Sequence, residues 1–142
     1  MSKDEHLESF LQKWISVLNK DRELRYRVQT FFEADDPSVL SLKIPDLDYA
    51  FTVGLQGKTF ILKYGLDRKP MLEVTMPSKV FRKMLLSEEP IIEALVEDGT
   101  SITSDHERYN HERGATVIEM LVVAQELVES DGELKRNIMS MR

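Results

Sequence analysis

The sequence predicts an α+β fold with a single five-stranded, mostly antiparallel (mixed) sheet and helices packed on one face. Its 142 residues suit one domain, and 42% apolar with 31% charged residues is typical of a globular protein. Apolar residues recur with a helical period near both ends and with a period of two in the middle. Because the β-like runs cluster, we expect hairpins rather than βαβ units, in one domain over 1–142 with its core at about 38–130.

Two helices are predicted within residues 1–35. The first carries an apolar stripe at three- and four-residue spacing, which comprises Leu7, Phe10, Leu11, Trp14, Ile15 and Leu18. The second places Leu24 and Val28 on one side. Pro37 disfavours a helical residue before it, so the helical region should end there.

Four β-like runs follow, over 39–44, 49–55, 58–64 and 71–76. In each run the larger apolar residues alternate with smaller or polar ones. In the first run, for example, Leu40 and Leu42 alternate with Ser41 and Lys43. This pattern predicts a sheet that packs on one face and meets water on the other.

The second half of the chain predicts short helices, one strand and a long helix. Ser78 and Ser87 are candidate N-caps of two short helices. A fifth strand is expected over 100–103, and the last long helix over 112–130. Residues 131–142 are expected to form a loose C-terminal tail.

The chain carries a net negative charge, and its charged residues are unevenly distributed along the sequence. A net charge of −6 disfavours nucleic-acid binding. Seven basic residues lie within 58–83, namely Lys58, Lys63, Arg68, Lys69, Lys79, Arg82 and Lys83. Seven acidic residues and no Lys or Arg lie within 87–107, namely Glu88, Glu89, Glu93, Glu97, Asp98, Asp105 and Glu107. The asymmetry could orient a transient contact with an anionic membrane, or it reflects two solvated faces of opposite sign.

The sequence contains no recognisable catalytic site. There is no Cys, nucleophile elbow, metalloprotease motif or phosphate-binding loop, so we expect no enzyme, no cofactor and no metal. One stretch, 106–112, contains two His and two Glu that could ligate a metal. His106 and His111 are five residues apart and stand beside arginines, which favours a solvated loop instead.

Cytoplasmic localisation is expected. The polar N-terminus has no apolar region of a signal peptide, and no stretch reaches the roughly 18 apolar residues of a transmembrane helix. The seven Met suit an irregular apolar interior or an adaptable binding surface.

Several local strings together resemble the sterol carrier (non-specific lipid transfer) domain family over about residues 38–128. These strings are YAFTVGLQGKTFIL over 49–62 and KPMLEVTM over 69–76. Phe81 and Leu85 follow on one predicted helix, and Gly99 then precedes the predicted strand at Ile102. The connection 105–114 is more charged and longer than this resemblance leads us to expect.

The resemblance implies a tunnel between sheet and helices that binds an apolar ligand without covalent chemistry. Fatty acyl chains, sterol-like molecules and isoprenoid lipids are the expected ligand classes. By position, the tunnel lining would comprise Phe51, Val53, Leu62, Leu72, Val74, Phe81, Leu85, Ile92, Leu95, Ile102, Val117 and Leu121.

An alternative is a protein-interaction or dimerisation module of the same fold without a tunnel. Phe10 and Trp14 on the first helix would then form an exposed stripe and supply the contact of a homodimer.

Overall fold

The computed structural model describes residues 3–66 and 69–141 and has an α+β fold, as predicted. Arg68, one of the basic residues noted above, lies outside these residues. The elements in chain order are α1 (Lys3–Lys20), α2 (Arg22–Phe31), β1 (Asp36–Ile44), a 3-10 turn (Pro45–Leu47), β2 (Tyr49–Gln56), β3 (Thr59–Tyr64), β4 (Leu72–Thr75), α3 (Ser78–Leu85), α4 (Ile91–Leu95), β5 (Ser101–Ser104), α5 (His111–Ser130) and α6 (Gly132–Ser140).

One mixed sheet contains all five strands in the order β3-β2-β1-β4-β5. The β1–β2, β2–β3 and β4–β5 pairs are antiparallel. The β1–β4 pair is parallel, with Leu42 opposite Val74. The predicted mostly antiparallel (mixed) sheet is therefore confirmed, and the parallel pair divides it into a β1–β3 half and a β4–β5 half.

Strand β1 begins at Asp36 rather than at 39, because the sheet accommodates an irregular register near Pro37. The pairing with β2 shifts between Asp36 and Leu40. Gly54 on β2 permits this, since a Cβ there would lie 2.7 Å from the Pro37 carbonyl carbon. Near this bulge the Asp36 carboxylate accepts the Ser38 N–H and the Ser38 carbonyl oxygen accepts the Met71 N–H, and each can accept a further donor.

Helix α1 packs against β3 and α5, with its apolar stripe in the core. Phe10 and Trp14 are each 1% exposed. The indole nitrogen of Trp14 donates a hydrogen bond to the backbone oxygen of Met120 on α5. The prediction that Phe10 and Trp14 form an exposed stripe is therefore wrong, and a homodimer would need a different surface. Within the described ranges, no helix is both long and apolar enough to cross a membrane.

The reverse face of the sheet is drier than predicted. Ser41 and Thr52, expected to meet water, are fully buried. Their hydroxyl groups lie 2.8 Å apart, and that of Thr52 donates to the backbone oxygen of Gly65 at 2.8 Å. A hydrogen-bonded hydroxyl pair can be buried at little cost, so alternation of polar and apolar residues did not mark a wet face here.

Neither serine predicted as an N-cap serves as one. Ser78 is the first residue of α3, and its backbone N–H donates to the Asp46 carboxylate at 2.9 Å. Ser87 lies in a turn with a positive φ of 59°. Helix α4 instead begins after Pro90, whose restricted φ suits a helix start.

The predicted loose tail is wrong, since residues 132–140 form helix α6. Asp131 caps it by accepting a hydrogen bond from the Leu134 N–H, and Leu134 and Ile138 are buried one turn apart. Arg82 on α3 donates to the Met141 carbonyl oxygen at 2.6 Å. These contacts were hidden at the sequence level because the apolar residues of this segment are few.

Candidate functional site

An apolar groove of about 420 Å³ lies between the β4–β5 half of the sheet and helices α4 and α5. It is lined by Leu72, Val74, Ile92, Leu95, Ile102, Tyr109, His111, Gly114, Ala115, Val117, Ile118 and Leu121. Such a volume is within the roughly 300–1,000 Å³ of small-molecule sites, which are mostly apolar with a few polar groups. Only Tyr109 and His111 bring polar side-chain atoms to it.

The sheet supplies the floor of this groove. Leu72 and Val74 are two residues apart on β4 and therefore point to the same face. Ile102 on β5 stands directly opposite Val74 in the antiparallel register. Helix α5 supplies one wall, because Gly114, Val117 and Leu121 recur at three- and four-residue spacing.

Helix α4 supplies the other wall and is held at both ends. Its groove-facing residues are Ile92 and Leu95. The carboxyl groups of Glu89, just before α4, and Glu97, just after it, are close enough to share a proton in a hydrogen bond. This hydrogen bond, together with partial burial, raises the pKa of Glu89 above its ordinary value. The side-chain amide of Gln125 on α5 donates to the Met84 carbonyl oxygen at 2.9 Å, which ties α5 to the chain leading into α4.

Tyr109 and Gly114 form one end of the groove. A methyl group at Gly114 would lie 2.8 Å from ring carbons of Tyr109, so the ring packs directly on the glycine. Asn110 caps α5 by accepting a hydrogen bond from the Arg113 N–H at 2.9 Å. The glycine thus serves a close approach between a helix and the aromatic ring in front of it.

Two arginines, whose side chains hydrogen-bond to other parts of the protein, hold in place the connection 105–110, which carries Tyr109. The Arg108 guanidinium bonds the Asp36 carboxylate and the Ser38 carbonyl oxygen at the β1 bulge. Arg113 donates to the backbone oxygens of Phe31 and Arg108 at 2.7 and 2.8 Å. The charged residues that set this connection apart from the family resemblance therefore fasten it to β1 and α2.

The groove brings together seven of the twelve residues that the resemblance placed in a tunnel, namely Leu72, Val74, Ile92, Leu95, Ile102, Val117 and Leu121. The other five lie elsewhere. Phe51 packs edge-on against Trp14, with ring centroids 6.1 Å apart. Val53, Phe81 and Leu85 are buried in the core, and Leu62 is partly buried against it. The role of each residue in ligand contact stays a prediction.

Five lining residues were not foreseen, namely Tyr109, His111, Gly114, Ala115 and Ile118. Tyr109 and His111 were assigned to a solvated loop, because the sequence does not show that this loop folds back toward the groove. Ala115 and Ile118 follow from helical spacing, since they lie six and three residues before Leu121.

The other surface depressions are more polar. One of about 510 Å³ is lined mostly by polar and charged residues, which include Lys69, Glu73 and His106. His106 and His111 thus face different depressions. Among the described residues, no three His, Asp or Glu side chains come together in a way that could hold a metal ion.

No known family model and no curated protein sequence matches the chain. Solved structures do. Sterol carrier protein 2 is similar at a TM-score of 0.61 and 13% identity, over 83% of this chain and 95% of that one. TT1886 of Thermus thermophilus, a conserved hypothetical protein and sterol carrier candidate, is similar at a TM-score of 0.60 and 16% identity, over 84% of this chain and 87% of that one. UbiJ-SCP2, a ubiquinone synthesis protein, is similar at a TM-score of 0.50 and 13% identity, over 88% of this chain and 89% of that one.

The chain therefore has the fold of sterol carrier protein 2, and the resemblance in its sequence is confirmed at the level of fold. The sec-alkylsulfatase Pisa1 of Pseudomonas sp. also matches, over 63% of this chain, at a TM-score of 0.46 and 13% identity. The chain spans only 13% of that enzyme's length.

Proposed function

We propose that this protein binds an apolar ligand, a fatty acyl, sterol-like or isoprenoid lipid, in the groove between β4–β5 and α4–α5. The observation that carries the proposal is the apolar lining of about 420 Å³, with polar side-chain atoms from Tyr109 and His111 alone. The sterol carrier fold supports a lipid as the ligand. Binding involves no covalent step, and the cytoplasm is the proposed compartment.

Burial of apolar ligand surface would drive binding. Each methylene removed from water contributes about 0.8 kcal/mol before the costs of association. Affinity should therefore rise with acyl chain length until the groove is full and then level off. A polar end of the ligand would lie near Tyr109 and His111, where it can keep its hydrogen bonds.

The experiment is native mass spectrometry of the purified protein, followed by organic extraction and identification of what is released. The apoprotein is then titrated with a fluorescent fatty acid, and fatty acids of increasing length and a ubiquinone analogue compete for it. The ubiquinone analogue represents the isoprenoid class, since one structurally similar protein is a ubiquinone synthesis protein. We expect saturable binding at one site and displacement that improves with chain length.

A matched pair of variants locates the binding site. Ala115 and Val122 are both half-buried positions on α5, but only Ala115 lines the groove. Ala115→Phe should fill the groove and abolish fatty-acid binding, whereas Val122→Phe should leave it intact. No released lipid and no binding by the wild type would instead favour the interaction module without a tunnel. Equal binding by both variants would place the ligand elsewhere.

A further inference from the structure

The groove opens in the most acidic part of the chain. Residues 84–130 contain eleven acidic residues and two arginines, a formal charge of −9, so that the other residues together carry +3. This segment supplies α4, β5 and α5, and hence two walls of the groove and part of its floor.

The two arginines of this segment do not offset the acidic charge at the groove mouth. Arg108 donates to the Asp36 carboxylate, to the Ser38 oxygen at the β1 bulge and to the Lys69 oxygen before β4. Arg113 bonds the Phe31 oxygen, and its guanidinium carbon lies 5.4 Å from the centre of the Phe32 ring. Exposed carboxylates instead stand on α4 and just after it, namely those of Glu93 and Asp98.

Large apolar side chains are exposed beside these carboxylates in the chain. Ile92 on α4 and Val96 directly after it are four residues apart and are 61% and 76% exposed. Ile102 on β5 is 46% exposed. Strand β5 stands at the edge of the sheet formed by the described strands. Apolar residues grouped in this way and rimmed by charge are typical of a protein-interaction surface.

We propose that the groove mouth, defined by Ile92, Val96 and Ile102, docks a protein partner whose surface is cationic and carries apolar side chains. Charge complementarity identifies the partner class, because acidic rims attract basic surfaces and speed their encounter. An anionic bilayer would be repelled by Glu93 and Asp98, and so would the same face of a second copy. Ile92 and Ile102 also line the groove, but docking at its mouth requires no bound ligand and goes beyond the proposed function.

The test uses a designed helical peptide with leucines on one face and lysines on the other as the probe. A matched peptide with glutamate in place of lysine is the control. Binding is measured by fluorescence anisotropy at low and high salt, and its location by amide chemical shifts of the full-length protein. We expect the lysine peptide to bind, to weaken several-fold with salt, and to shift amides at 91–102. The glutamate peptide should not bind.

Variants separate this mouth from general attraction to an acidic protein. Val96→Ser should weaken peptide binding several-fold, whereas Met139→Ser, at another exposed position on α6, should not. Glu93→Gln combined with Asp98→Asn should weaken binding and its salt dependence more than Glu33→Gln on the α2–β1 connection. Fatty-acid binding measured on the same samples reports separately on the proposed function.

Four outcomes would overturn the docking proposal. The first is an equal loss of binding in Val96→Ser and Met139→Ser, and the second is amide shifts confined to other regions. The third is tighter binding of phosphatidylserine-containing vesicles than of phosphatidylcholine vesicles, with shifts at 91–102, which would assign the mouth to an anionic membrane. The fourth is a doubled sedimentation mass that Val96→Ser abolishes, which would assign it to a second copy.

Discussion

The indole nitrogen of Trp14 lies 2.9 Å from the backbone oxygen of Met120, 106 residues away in sequence. The ring stacks on Phe10 and meets Phe51 edge-on, with centroid distances of 6.1 Å in both pairs. Trp14 therefore fills the space between α1, α5 and β2. This packing closes the interior over the β1–β3 half of the sheet and leaves the open groove over the β4–β5 half.

Two substitutions of Trp14 should lower the stability of the protein to different extents. Trp14→Phe removes the indole N–H and leaves the Met120 oxygen without this partner, which we expect to lower the free energy of unfolding by about 1–3 kcal/mol. Trp14→Ala adds a cavity, for an expected loss of about 3–5 kcal/mol. Urea denaturation measures both. The exposed Tyr26→Ala should change stability by less than about 0.5 kcal/mol.

Trp14→Ala should also change what the protein can hold. If the groove ends where Trp14 packs, the new cavity extends the apolar space, and longer fatty acids should gain affinity relative to shorter ones. The competition series described above measures this. An unchanged chain-length profile in a folded variant would mean that Trp14 does not limit the groove.

Arg108 should stabilise the protein through the β1 bulge. Its side chain is 27% exposed and that of Asp36 only 10%. Arg108→Ala removes the charged donor from both acceptors and leaves each with one backbone N–H, from Ser38 and Met71 respectively, for an expected loss of about 1.5–3 kcal/mol. Arg108→Lys should recover only part, since one ammonium cannot match the planar guanidinium. A loss no larger than that of the exposed Arg136→Ala would contradict this assignment.

Gly114→Ala should alter ligand retention more than stability. The added methyl group cannot coexist with the Tyr109 ring in its present place. Tyr109 is 41% exposed and can swing out, while alanine favours the helix by up to about 1 kcal/mol. We therefore expect near-normal stability and faster ligand release in stopped-flow measurements. Gly132→Ala, where the nearest atom is 3.5 Å away, should release ligand at the wild-type rate.

Stability should fall as the pH rises through the pKa of Glu89. The hydrogen bond with Glu97 raises the pKa of Glu89, while Lys83, which lies 3.7 Å from Glu97, opposes the shift. The folded state therefore binds more protons than the unfolded state. The contribution is fully present below the ordinary glutamate pKa and is lost as the pH rises through the raised value.

Glu89→Gln, which stays neutral, should gain stability over the wild type with rising pH, as urea midpoints measured across this range would show. The exposed Glu88→Gln on the same turn is the control and should follow the wild-type curve. A Glu89→Gln profile parallel to that of the wild type would mean that the two carboxyl groups do not share a proton in solution.

Periodicity was enough to predict the fold class, the five strands and most helices. Runs such as 49–55 contain long alternations of the kind that is typical of a strand. The floor residues Leu72, Val74 and Ile102 were among the positions that the family resemblance implied, and so were Val117 and Leu121 on α5. Helix α6 could not be predicted in this way. It depends on the Asp131 cap and on a few buried residues, and these buried residues pack against distant parts of the chain.

The division of the interior could not be predicted from the sequence. The sequence pattern predicts that Phe51 and Val74 both face the interior. Nothing in their spacing shows that Trp14 packs on Phe51, whereas Val74 remains at an open groove. Burial of Ser41 and Thr52 was equally hidden, since a hydroxyl pair across two strands becomes visible only once their register is known.

The parallel pairing of β1 with β4 has a consequence for the order of assembly. The β1–β2–β3 meander joins neighbours along the chain, so its loops close at little entropic cost. β4 must instead return past two strands before it pairs with β1, and a long-range pairing of this kind forms slowly. We expect the β4–β5 edge to be completed last during folding and to open first in native-state hydrogen exchange. The part of the molecule that surrounds the groove would then also be the part that opens most readily to admit a ligand.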